Sequence, residues 1–135
     1  MSASERFNHI GSQFAVDDVE KAVGFYAAAL GFKLDYLDGD PLHYAVVFRD
    51  EVYIHLCQPQ PPEFPAGSGR AFVAVSGVDT IWKRVRSETP NAIEQPIRDL
   101  DYGHQVLFRV FSVSDPAGNT LRIGEPLRDR LPSCD

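Results

Sequence analysis

Two residue pairs in this chain have types and spacing suited to chemistry. His55 and Cys57 lie two apart in VYIHLC, so a strand turns both to one side. An imidazole beside a thiol is the pairing that generates a thiolate nucleophile, although the sequence offers no evident third group to orient it. The competing reading of Cys57 is a small core residue. Arg70 and Arg122 form the second pair. Each is a permanently charged fork of donors that can grip a carboxylate or phosphate at two points. Alternatively they pair internally with acids such as Glu125 or Asp79. Tyr36, Tyr44, Tyr53, Phe72 and Tyr102 could stack on a planar ligand or simply pack in the core. GSGR at 67–70 lacks the Lys-Ser/Thr of a phosphate-binding loop, and no nucleophile elbow is present.

These residues need elements to position them. IGSQFAV (10–16) reads as a strand, and a helix follows to about Leu30, capped by Asp17 or Asp18 and stopped by Gly31. Val19, Ala22, Val23, Tyr26 and Leu30 make its apolar stripe. Strands are expected at 32–37, 43–49 and 52–57, with turns at Asp38–Pro41 and Asp50-Glu51. In VYIHLC, Val52, Ile54 and Leu56 share one face, and Tyr53, His55 and Cys57 the other. Residues 58–69 hold four prolines and two glycines and read as a linker.

The pattern then restarts. A strand at 70–75 and a helix at 78–87 precede a short strand or extended loop at 92–99. A hairpin follows over 105–114 and 119–124, turned by Asp115-Pro116-Ala117-Gly118-Asn119. Laid over the first half, Phe14 falls on Val73 and Val19 on Val78, an offset of 59. The reading is α+β: one domain over 1–135, built from two βαβββ repeats at about 9–57 and 70–125. One helix covers one face of each four-stranded sheet. The curved helix-free faces then surround a cleft, the usual place for a ligand.

The totals exclude several classes. A formal charge of −6 argues against a nucleic-acid surface. Apolar runs are too short to span a bilayer. The amino terminus MSASERFNH has no apolar signal core, so a cytoplasmic location is expected. Cys57 and Cys134 are too few for a disulfide framework and read as free thiols.

Four segments carry a family resemblance: VDDVEKAVGFYAAALGFKLDY, FRDEVYIHLCQ, VAVSGVDTIWKRV and DPAGNTLRIGE. In this order and spacing they resemble the glyoxalase, bleomycin-resistance and dioxygenase (vicinal oxygen chelate) superfamily. Metal-using members place His, Gln or Glu ligands on the first and fourth strands of each half, and the resemblance carries those places onto Gly11, His55, Arg70 and Arg122. Glycine has no ligand atom and guanidinium repels a cation, so only His55 is suited to a metal.

The resemblance therefore implies no metal, no cofactor and no catalytic residue. It implies the bleomycin-resistance type of function: a homodimer that sequesters a drug or metabolite in a cleft at or near the dimer interface. The implied ligand-binding residues are Gln13, Tyr53, His55, Cys57, Arg70, Phe72, Tyr102, His104 and Arg122. Tyr102-Gly103 resembles the aromatic-Gly pair that covers the ligand, with Tyr in place of Trp and extra residues around HQVLF. The alternative is a lyase, isomerase or dioxygenase-like enzyme with a shifted metal site built on His9 and His55.

Overall fold

The computed structural model describes residues 4–8, 10–59, 65–101 and 107–127. The first half runs β1 (Gly11–Ala15), α1 (Val19–Leu30), β2 (Lys33–Asp38), β3 (Tyr44–Arg49) and β4 (Val52–Cys57). The second runs β5 (Arg70–Ala74), α2 (Val78–Glu88), a 3₁₀ turn at Pro90–Ala92, β6 (Ile93–Asp101), β7 (Leu107–Ser114) and β8 (Thr120–Pro126). The two sheets have the orders β1-β4-β3-β2 and β5-β8-β7-β6. In each, the first strand lies parallel to the last and the remaining pairs are antiparallel. A parallel pair cannot be closed by a hairpin, so each half needs a long excursion between its first and last strands, and the helix forms part of it. The architecture is α+β, two βαβββ units, as the sequence pattern implies.

Local chemistry explains the helix ends. Asp18 caps α1, its carboxylate accepting from the Lys21 N–H at 3.0 Å. Gly31 ends the helix at φ 71°, a left-handed conformation that glycine adopts without a Cβ clash. The last turn of α1 contains no basic residue of its own. Arg49 of β3 and Arg84 of α2 supply the charge, donating to Leu30 O at 2.9 Å and Ala29 O at 3.2 Å. At the start of α2, Gly77 has no capping side chain, and Glu125 of β8 accepts from the Gly77 and Val78 N–H groups instead.

One buried cluster joins the halves. It contains Phe14, Tyr26, Leu30, Val47, Ile54 and Leu56 from the first, and Val78, Val85, Phe111, Val113, Leu121 and Ile123 from the second. The last turn locks the two together. Asp115 Oδ1 accepts from the N–H groups of Ala117, Gly118 and Asn119, and its Oδ2 accepts from Tyr26 Oη at 2.9 Å. Asn119, fully buried, donates to Ala15 O and Asp115 Oδ2 and accepts from the Gly69 N–H. DPAGN is thus more than a hairpin turn: it bonds α1 and the end of β1.

One expectation is revised. The segment 92–99, read as a short strand or extended loop, begins with the end of the 3₁₀ turn at Ala92 and then lies in the nine-residue strand β6, Ile93–Asp101. Two register shifts, between Ile93 and Gln95 and between Gln95 and Arg98, interrupt its pairing with β7. Pro96 is tolerated because β6 is an edge strand.

Candidate functional site

The strand register decides which side chains share a face. On the first sheet, Gly11 pairs with Tyr53, Gln13 with His55 and Ala15 with Cys57. Val46 pairs with His55, and Phe48 with Tyr53. Val47, Ile54 and Leu56 face the helix and the core, so Gln13, Tyr53, His55 and Cys57 lie together on the helix-free face. Tyr44 and Phe48 join them. The Tyr44 hydroxyl is hydrogen-bonded to His55 Nδ1, with ring centroids 5.8 Å apart and nearly perpendicular. Tyr36 packs edge-on to Tyr44 at 6.3 Å, and Phe48 stacks on Tyr53 at 5.6 Å.

Tyr44 holds its phenolic proton more tightly than an ordinary tyrosine. Burial is the main cause of its raised pKa, with nearby Cys57 and Tyr36 adding to it, while a hydrogen bond with Gln13 works the other way. The Cys57 thiol lies 3.9 Å from Phe14 O as a weak donor. The hydrogen bonds described for His55 and Cys57 therefore go to Tyr44 and Phe14. Tyr36 is 51% exposed, so it is not core packing.

On the second sheet, Arg70 pairs with Thr120 and Phe72 with Arg122. Ser112 pairs with Arg122, and Val110 with Gly124. Phe111, Val113, Leu121 and Ile123 belong to the core, so Arg70, Phe72 and Arg122 share the opposite, helix-free face. Phe72 is 47% exposed and packs edge-on to Phe108 at 5.6 Å. Gly124 makes room for it: a Cβ there would fall 2.8 Å from both Phe72 Cζ and Val110 Cγ1. The internal partners the sequence offered to the arginines are engaged elsewhere. Glu125 caps α2. Asp99 and then Asp79 hold Arg109, at 2.8 and 3.2 Å, and raise its pKa.

The predicted residues thus fall into two groups, one on each sheet. Tyr102, His104 and His9 lie outside the described residues. The sequence reading missed Phe48, Ser112 and Arg98 as face residues. Strict alternation along β3 and β7 would have placed Phe48 and Ser112, and alternation from the core-packed Ile93 and Ile97 would have placed Arg98. Cavities of about 500 and 510 Å³ lie elsewhere, one where the halves meet and one beside the start of α2, and none of the predicted residues that are described lines either.

The four positions carried over for a metal can be tested for fit. A Cβ on Gly11 would stand 3.1 Å from His55 Cδ2 and 3.2 Å from Nε2, so the imidazole occupies the space of a side chain at position 11. In the equivalent register of the second sheet stand two guanidiniums, Arg70 and Arg122. One imidazole, a glycine and two cations are not a divalent-metal donor set. Among the described residues no group of three or more His, Cys, Asp or Glu side chains is placed to hold a metal ion.

The profile of the Glyoxalase/Bleomycin resistance protein/Dioxygenase superfamily matches residues 6–123. The chain belongs to this superfamily. No curated protein matches it. Among solved structures, the bleomycin-binding protein from bleomycin-producing Streptomyces verticillus, complexed with copper(II)-bleomycin, is similar with a TM-score of 0.69. That pair is 22% identical over 89% of this chain and 97% of the other. TnmS3, an antibiotic binding protein from a Streptomyces species, has a TM-score of 0.67 and 23% identity over 91% and 99%. A glyoxalase/bleomycin resistance protein/dioxygenase from Alicyclobacillus acidocaldarius has a TM-score of 0.71 and 14% identity over 93% and 96%. At these identities the superfamily's fold is what is shared. Among the described residues no helix is long and apolar enough to cross a membrane.

Proposed function

We propose that this member of the superfamily is a metal-independent binding protein that sequesters a small molecule, a drug or metabolite, without changing it. The observation that carries the reading is the state of the family's metal positions: the His55 ring fills the place beside Gly11, and Arg70 and Arg122 stand where the second pair of ligands would be. The face around them is suited to holding a ring-containing molecule, through Tyr36, Tyr44, Tyr53 and Phe72. The printed functions of two similar structures, bleomycin binding and antibiotic binding, point the same way.

The ligand cleft belongs to a homodimer. Tyr36 on the helix-free face of the first sheet and Phe72 on that of the second are 51% and 47% exposed in the single chain, apolar surface left open on both faces. A second copy placed over a helix-free face would cover it and close a cleft.

The test has two arms on the same protein. After incubation with Zn²⁺, Mn²⁺, Ni²⁺ and Fe²⁺ and desalting, metal content by plasma mass spectrometry is expected to be far below one equivalent per chain. Calorimetric titration with bleomycin-type drugs and aromatic acids is expected to show saturable binding unaffected by a chelator, with the ligand recovered unchanged. Stoichiometric metal, or turnover abolished by the chelator, refutes the reading. Failure of every ligand in the panel to bind also counts against it.

A further inference from the structure

We propose that the helix-free face of the second sheet is an oxyanion site, so that the ligand carries a carboxylate or phosphate on an apolar, ring-containing body. This deepens the binding reading above and rests on it.

Two unsatisfied polar groups carry the argument. Ser112 is fully buried in β7, and its hydroxyl has no hydrogen-bond partner. Nη1 of Arg98 is also buried and without a partner. Buried donors left unpaired are rare, because each gives up its water and gains nothing. A guanidinium nitrogen is the more demanding of the two, since its charge persists at every accessible pH. Two such groups on one face are complementary to an incoming acceptor that is absent from the isolated chain.

They do lie on one face. Arg98 pairs with Val110, and Ser112 pairs with Arg122. Val110 and Ser112 alternate with the core residues Phe111 and Val113, so all of these side chains leave the sheet on the helix-free side. Strand spacings put Arg98 and Arg122 about 12 Å apart at Cα, on opposite sides of β7. Because its Nη1 is shielded from water, the Arg98 guanidinium lies against the protein rather than out in solvent. Arg70 adds a third positive charge one strand beyond Arg122.

The charge pattern selects the sign of the ligand. The whole chain carries −6, yet three arginines gather here. Glu94, a described acid on this face, accepts from the Thr120 hydroxyl at 2.7 Å and keeps its charge, so the three guanidiniums outnumber it. Asp79 and Asp99 are tied to Arg109, and Glu125 to the start of α2. A cationic ligand would meet repulsion here. An oxyanion offers lone pairs to the Ser112 hydroxyl and the Arg98 guanidinium together. Phe72 and Phe108 stand beside the site as an apolar rim.

The experiment compares ligands that differ only in charge. 2-Naphthoate and 2-naphthyl phosphate are titrated calorimetrically against neutral 2-naphthamide at low salt, with inorganic phosphate as competitor. At least one naphthyl anion is expected to bind tenfold or more tightly than the amide. Arg98→Met is expected to remove most of that preference while leaving amide binding unchanged. Competition by phosphate alone identifies the phosphate group as the preferred anion; its absence identifies the carboxylate. Ser112→Ala and Arg98→Met remove unsatisfied donors, so neither is expected to lower the melting temperature, and the wild-type charge comparison needs no variant. Equal binding of anion and amide, or a preference unchanged in Arg98→Met, overturns the site while leaving the binding-protein reading intact. Absence of saturable binding by both anions also overturns it, and the drug panel above then decides the broader reading separately.

Discussion

Replacing Tyr26 with Phe removes one hydrogen bond that ties helix α1 to the last hairpin, and its cost is expected to vanish at alkaline pH. Tyr26 is 1% exposed and donates to Asp115 Oδ2 at 2.9 Å. A hydrogen bond to a charged acceptor contributes about 1.5–3 kcal/mol. Asp115 keeps four N–H donors in the variant, from Ala117, Gly118 and two of Asn119. Its carboxylate is therefore not abandoned, and the expected loss is about 2 kcal/mol at neutral pH.

Burial, and then the Asp115 charge and hydrogen bond, push the Tyr26 pKa far above its ordinary value of 10.0. Below that ordinary value the phenol is protonated in both the folded and the unfolded chain, and its contribution is fully present. Above it the unfolded chain loses the proton while the folded chain keeps it, so stability falls as pH rises. The slope for one such group is about 1.4 kcal/mol per pH unit. Tyr26→Phe has no such branch, and the other tyrosines act equally in both proteins. Urea unfolding of both at about pH 7, 9 and 11 reads the difference directly. It is expected to be about 2 kcal/mol at the first two and below about 1 kcal/mol at the third. A difference below about 0.5 kcal/mol at pH 7, or one that does not shrink above pH 10, refutes the assignment of Tyr26 as the buried donor to Asp115.

Two further substitutions probe how the halves and the site are held. Asn119→Ala strips three buried hydrogen bonds, to Ala15 O, Asp115 Oδ2 and Gly69 N; it is expected to cost about 3 kcal/mol, or about 10 °C in melting temperature by calorimetry. Gly124→Ala places a Cβ 2.8 Å from Val110 Cγ1 and Phe72 Cζ. Val110 is fully buried while Phe72 is exposed, so Phe72 is expected to swing out, costing about 1–2 kcal/mol. The same displacement should weaken binding of 2-naphthyl anions, measured by the titration described above.

Much of the fold is legible in local chemistry. Asp18 and Gly31 bracket α1 as the sequence implies, and VYIHLC forms β4 over the expected residues. The alternation in β4 places Tyr53, His55 and Cys57 on one face, because side-chain direction in a regular strand is a local property. In β6 two one-residue register shifts cancel, so Arg98 leaves the strand opposite the core-packed Ile93 and Ile97, where plain alternation places it.

The sequence by itself determined the βαβββ repeat, the family, and the chemistry missing at Gly11, Arg70 and Arg122. Only the tertiary structure decided the pairings between distant residues. Glu125 and Asp79, sequence candidates for partnering the arginines, are claimed by the α2 amino terminus and by Arg109. The His55 ring leans over Gly11, and Tyr44 holds it there. Ser112 and the Arg98 nitrogen are left buried without partners. The physical reason is that periodicity fixes which way a side chain leaves its own strand, whereas the neighbour it meets depends on strand order and register, which arise from contacts far apart in the chain.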